Sequence, residues 1–253
     1  MGLLFGSFAN AVIWRLHSGT SIAKGRSKCP DCHHELGVLD LVPVLSWLGL
    51  RGRCRYCHKK ISVQYPVVEL VTAGLFASAF LSLRPASPGE WVELVYWLYL
   101  IMVLVILAVY DLRWMLLPDA VTLPAIGLSV TYLVYLGLSG GSAATIFGSL
   151  LAAVLAGGFF YALGAVSGGR WMGGGDVKLV FLMGLALGLE RTFLALVVAF
   201  NVAAIVSLIL IGLKLRKRTD HIPFGPFLAG GTLVALIWGT AIINWYLRIT
   251  VRV

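Results

Sequence analysis

Apolar residues in this chain gather in long unbroken runs, separated by short clusters of glycine, proline and charge. A helix that crosses the hydrocarbon of a bilayer needs about 20 such residues. The pattern predicts eight helices, at 1 to 14, 63 to 83, 92 to 110, 120 to 138, 143 to 164, 176 to 189, 192 to 213 and 226 to 247. The first and sixth are short for a span. Tilt, a thinner bilayer or a few further residues would suit the first, and half-insertion or an earlier start inside a glycine run would suit the sixth. The organisation is therefore a first helix at 1–14, a hydrophilic loop at 15–62, two helices within 63–110, and five more within 111–253.

Composition sharpens this to an all-α polytopic membrane protein. Of 253 residues, 59% are hydrophobic and only 12% charged, which excludes a soluble domain. A net charge of +9 raises the question of nucleic acid, but the basic residues lie in loops between apolar runs, where they report topology. With both termini outside the cytoplasm, the loops 15–62, 111–119, 165–178 and 214–225 face inward and hold 16 of the 20 lysines and arginines; only Arg84, Arg191, Arg248 and Arg252 fall outside. The partner implied is membrane lipid, not nucleic acid. Met1 to Trp14 has no basic leader before it and no small-residue cleavage site after it, so it reads as a retained helix. Gly184 with Gly188, and the pair Gly157-Gly158, suit close helix packing.

All four cysteines fall in the hydrophilic loop, as Cys29-Pro-Asp-Cys32 and Cys54-Arg-Tyr-Cys57 with 21 residues between the two pairs. Four thiolates at this spacing close a tetrahedral zinc site with no open position, so the metal is structural. Disulfides or redox thiols are the alternative, disfavoured by cytoplasmic placement. His33, His34 and His58 flank the knuckles as spare ligands or solvated surface residues. Between the knuckles, Leu36 to Leu50 suffices for a small amphipathic element lying on the bilayer or on the helices.

The 11 acidic residues sort by position. Glu90, Glu93 and Glu190 suit solvated helix ends, while Asp31, Glu35 and Asp40 suit the loop surface. Asp220 suits neutralising the basic run Lys214 to Arg218. Glu69 lies early in the second span, either salt-bridged to a basic loop residue or facing a polar cavity. Asp111 ends one apolar run, and Asp176 follows the glycine run Gly173-Gly174-Gly175. The topology, derived without them, puts both at the same membrane face. Two carboxylates brought close share a proton, so one can activate water while the other polarises a carbonyl. The structural alternatives are an Asp111–Arg113 ion pair and a first-turn acid complementing a helix dipole at Asp176. Asp119, after Pro118, suits a helix N-cap.

These segments together resemble the type IV prepilin peptidases, bacterial membrane aspartic proteases of the GxGD class. The likeness rests on Gly6-Ser7-Phe8-Ala9-Asn10-Ala11-Val12-Ile13-Trp14-Arg15-Leu16, the two cysteine knuckles, Tyr65-Pro66 with Glu69, and Asp111 to Asp119 as D-x-x-x-x-x-L-P-D. It continues with Gly173-Gly174-Gly175-Asp176 as GxGD, Lys178 behind it, and Ile222-Pro223-Phe224-Gly225-Pro226-Phe227. His17 departs from the proline common in the family and touches no catalytic position. The resemblance implies catalytic roles for Asp111 and Asp176, making 111–253 the catalytic region, and a structural zinc on Cys29, Cys32, Cys54 and Cys57. It implies an inner-membrane enzyme whose site and zinc loop face the cytoplasm. Its substrates would be prepilins or type II secretion pseudopilins, trimmed of a basic leader and then N-methylated from S-adenosylmethionine. Glu69 and the loop's polar residues are candidates for binding the donor or the new amino terminus. No G-x-G-x-x-G follows a strand, which excludes a Rossmann methyltransferase domain. The rivals from other classes are a proton- or ion-coupled transporter with a regulatory zinc loop, and a non-catalytic assembly scaffold.

Overall fold

A computed structural model describes residues 1–22, 24–217 and 221–250. Arg218, Asp220 and Arg252, which enter the charge reading above, lie outside the described residues. Helix α1 spans Gly2–Ser18, a 3-10 turn covers Val38–Leu41, and a short α2 covers Leu45–Gly49. Then follow α3 (Gln64–Leu83), α4 (Pro88–Trp114), α5 (Asp119–Leu138), α6 (Ala143–Val166), α7 (Gly174–Gly212) and α8 (Gly225–Thr250). Helices α3 to α8 are six that are long and apolar enough to cross a membrane. The described residues contain no strand, only two isolated bridges in the cysteine loop.

The eight predicted runs are present as eight long helical segments, because the 39-residue α7 breaks at Gly188 (φ 71, ψ 179). The sequence suggested a gap around Glu190-Arg191. The chain instead changes direction at a single glycine, which adopts a backbone geometry barred to other residues, so no loop is needed. Two helices overrun their apolar stretches. Helix α1 continues through Arg15 and His17 until Gly19 turns left-handed (φ 67), and α4 carries Asp111 within its final turn.

The chain forms two compact units, Met1–Ile106 and Leu107–Val253. In the first, α1 and α3 pack antiparallel. Gly2 lies on Ala73 and Gly6 on Glu69, while Asn10 donates to the Tyr65 carbonyl at 3.1 Å and accepts from Gln64 at 3.2 Å. In the second, α7 is central and packs on α5, α6 and α8. Leu133, Ala153 and Leu185 form its buried cluster, flanked by Ile126, Leu136 and Phe181. Gly184 meets the backbone of Ala153, and Gly231 that of Ala195, the close approaches that small residues permit between membrane helices.

Candidate active site and cysteine cluster

Asp111 sits at the C-terminal, negative pole of α4, where a carboxylate is disfavoured. Met115 (φ 52) ends that helix, donating its N–H to the Asp111 carbonyl at 2.8 Å. The Asp111 residue is only 6% exposed. Its Oδ2 accepts from the Gly225 N–H at 2.9 Å, at the start of α8, so the positive pole of another helix offsets the negative pole of its own. A Cβ at residue 225 would stand 2.6 Å from that oxygen, which is why the Pro-Phe-Gly-Pro segment carries glycine there. Among the described residues Arg113 makes no pair with Asp111; it lies over the Trp114 ring at 5.7 Å.

Asp176 is the third residue of α7, after the N-cap Gly173. Its N–H donates to the Gly173 carbonyl at 3.1 Å, which places it in the first turn of α7. The first turn of α7 can lie against the loop after α4 because residue 175 has no side chain: a Cβ there would be 2.9 Å from Leu117 Cβ. Asp176 is half-buried and lies close enough to Asp111 for the charge of one to act on the other. The fold thus brings two acids 65 positions apart in sequence within reach of each other's charge, Asp111 against the N-terminus of α8 and Asp176 in the first turn of α7. Replacing Gly225 by Ala is expected to displace the Asp111 carboxylate and, where that group reacts, to cost about 10²-fold in rate, since shifts near 1 Å carry such penalties; Gly225→Ala assayed beside Gly230→Ala, whose Cβ meets open space, checks this.

Asp119 departs from its expected role. The N-cap is Pro118, and Asp119 is the first helical residue of α5. Lys178 Nζ donates to both of its oxygens, at 2.6 and 2.8 Å. Lys178 is therefore the partner of Asp119. Glu69 departs from the expected salt bridge. It is 5% exposed, and its Oε2 accepts from the Val44 N–H at 2.7 Å. Among the described residues no basic group pairs with it. Glu90 does cap a helix, accepting from the N–H groups of Ala86 and Ser87 at 2.6 and 3.1 Å.

The four cysteine sulfurs lie within 4.8 Å of one another, with Cys29 and Cys57 Sγ 3.9 Å apart. Tetrahedral Zn–S bonds of about 2.3 Å set sulfurs about 3.8 Å apart, so the cluster fits a four-thiolate metal. The two knuckles repeat one geometry. Cys29 donates to the His34 carbonyl at 3.0 Å and Cys54 to the Lys59 carbonyl at 2.9 Å, while His33 and His58 donate back to the two cysteine carbonyls, each at 3.0 Å. Both histidines take φ 56. They are corner residues of the knuckles, and His34 stacks on Tyr56 with centroids 3.6 Å apart.

Asp31 and Glu35 form surface ion pairs with Lys59 and Lys28. Asp40, expected at the surface, instead has a side chain only 6% exposed. It accepts from Arg55 Nε at 2.7 Å, the Gly37 N–H at 3.1 Å and the Tyr56 hydroxyl at 3.3 Å. Desolvation pushes its pKa up, but these donors, Arg55 foremost, outweigh that and hold it below the usual carboxylate value. A depressed folded pKa stabilises at pH above the unfolded value and is lost as pH falls through the folded one. Asp40→Asn should cost the loop about 1 kcal/mol near neutrality and nothing in strong acid, measured as loop proteolysis against pH.

The fold and site define a multi-pass helical membrane protein with paired acids at helix ends and a four-cysteine lobe. Residues 1–83 match the Bacterial Peptidase A24 N-terminal domain, and residues 98–209 match the Type IV leader peptidase family. The prepilin leader peptidase/N-methyltransferase of Aeromonas hydrophila is 39% identical over 225 residues, covering 88% of this chain and 74% of that protein. That of Bacillus subtilis is 33% identical over 256 residues, covering 98% and 95%. That of Pseudomonas aeruginosa is 30% identical over 271 residues, covering 98% and 91%. No solved structure matches the chain. The chain belongs to the type IV leader peptidase family, a family of membrane proteases.

Proposed function

We propose that this protein removes the leader of prepilins or type II secretion pseudopilins at the cytoplasmic face of a bacterial inner membrane, and N-methylates the new amino terminus. What supports the reading is that, in a chain of this family, Asp111 and Asp176 lie close enough for the charge of one to act on the other. The ionised member of the pair takes a proton from water as that water attacks the scissile carbonyl. The protonated member donates to the carbonyl oxygen, and the amine departs with the proton first taken. The Gly225 N–H holds the Asp111 carboxylate in place through this exchange. Lys178 keeps Asp119 out of the pair.

Cys29, Cys32, Cys54 and Cys57 would hold a structural zinc that cross-links the two knuckles. S-adenosylmethionine would be the methyl donor. The described residues contain no strand, so no doubly wound sheet houses it. Glu69, already bonded by Val44, suits a positioning role beside such a site.

The test is purified protein incubated with a prepilin-type substrate, followed by mass spectrometry of both fragments with and without S-adenosylmethionine. One cut before the hydrophobic helix, with a methyl gain only when donor is present, is the expected result. Intact substrate alongside active Bacillus subtilis relative would overturn the reading.

A further inference from the structure

The cysteine loop carries an apolar surface that neither the sulfur cluster nor the α1–α3 pair uses. Val38 and Leu39 in the 3-10 turn are 78% and 73% exposed, and Leu45 in α2 is 68% exposed, with Leu48 exposed beside it. A cluster this apolar on an extramembrane segment calls for a covering. Three features say what covers it.

The first is depth. The Val44 N–H that joins the 3-10 turn to α2 is bonded to Glu69, five residues inside the membrane-length helix α3, or about 7.5 Å along its axis. The turn therefore lies below the end of a helix that spans the bilayer. Val44 reaches it in a strained, left-handed geometry (φ 61, ψ −51), which β-branched residues adopt only when their surroundings compel them. The second is continuity. Leu41 lines, with Leu4, Phe8 and Ala11 of α1, a cavity of about 260 Å³, so the apolar surface of the loop runs onto α1, whose Leu4, Phe5 and Phe8 are exposed. The third is charge. Arg51, Arg53 and Lys60 follow α2 and are all exposed, as cations at an anionic headgroup layer would be.

We propose that Val38–Gly49 is an interfacial anchor. Its leucines and Val38 lie in the boundary between headgroups and acyl chains of a bilayer containing anionic lipid, and Glu69 fixes the depth. The cysteine lobe is then seated on the membrane surface and does not swing free in solvent. This inference does not depend on the peptidase reading.

The test places p-benzoylphenylalanine at Leu39 or Leu45 of the full chain, reconstituted in nanodiscs of phosphatidylethanolamine and phosphatidylglycerol. Phe193, exposed on α7, serves as the bilayer-facing control. After irradiation, intact mass should show phospholipid adducts at 39 and 45 with yields within a few-fold of the control. Chain-to-chain products, adducts only with an added prepilin-type substrate, or no adduct where Phe193 gives one, would each overturn the anchor. Loss of the adducts in Glu69→Leu, with the Phe193 adduct unchanged, would further support the depth setting; unchanged adducts would overturn that part.

Discussion

Asp111→Asn and Asp176→Asn should each lower the rate of leader removal by about 10³-fold, within the range that a positioned proton-transfer group supplies. Asparagine matches aspartate in size and keeps a side-chain oxygen. The Gly225 N–H can still donate at position 111. Helix content and expression should therefore stay near wild type. What is lost is the ability to exchange a proton, and both halves of the proposed cycle need it. The double variant should be little worse than either single one, because residues that act as a unit are strongly non-additive. Initial rates with a prepilin-type substrate, with circular dichroism as the folding control, check this.

Loss of the cysteine cluster should have the second largest effect, and on structure. Structural zinc sites contribute on the order of 10 kcal/mol to the folding of small lobes. Here Cys29 and Cys54 are buried but the flanking histidines and lysines are not, so little apolar packing remains to hold the knuckles once metal leaves. Chelation, or Cys54→Ser, should make the loop between α1 and α3 the first target of limited proteolysis while α3 to α8 stay protected. Metal content per chain should fall together with that protection. A loop that stays resistant after complete chelation would show that the packing of Asp40 and Trp47 suffices without metal.

Much of this was legible because the sequence signals are local. Apolar runs mark helices wherever they are long enough, and two C-x-x-C pairs mark a cluster without knowledge of the fold. Charge placement sorts helix ends by expected membrane face, which singles out Asp111 and Asp176 as candidates on one side. The parts that were not legible depend on contacts between distant residues. The Gly225 N–H reaches Asp111 across 114 positions, and its one sequence signal was a glycine held between Phe224 and Pro226. Asp119 looked like a cap because it follows proline at a helix start, yet its fate was decided by Lys178, 59 positions on. Glu69 was read as salt-bridged or facing a polar cavity, yet its partner is a backbone N–H, which no side-chain pattern reveals. The break at Gly188 had a signal in the glycine itself, but the adjacent Glu190 and Arg191 mimicked a loop.

The identity of the acid opposite Asp176 is the central claim, and one comparison tests it most directly: leader cleavage by wild type, Asp111→Asn and Asp119→Asn at equal protein levels. The geometry predicts that Asp119→Asn, which breaks only an exposed ion pair with Lys178, keeps cleavage within a few-fold of wild type while Asp111→Asn abolishes it. Cleavage at wild-type rate by Asp111→Asn, with Asp119→Asn inactive, would contradict the Asp111–Asp176 pair.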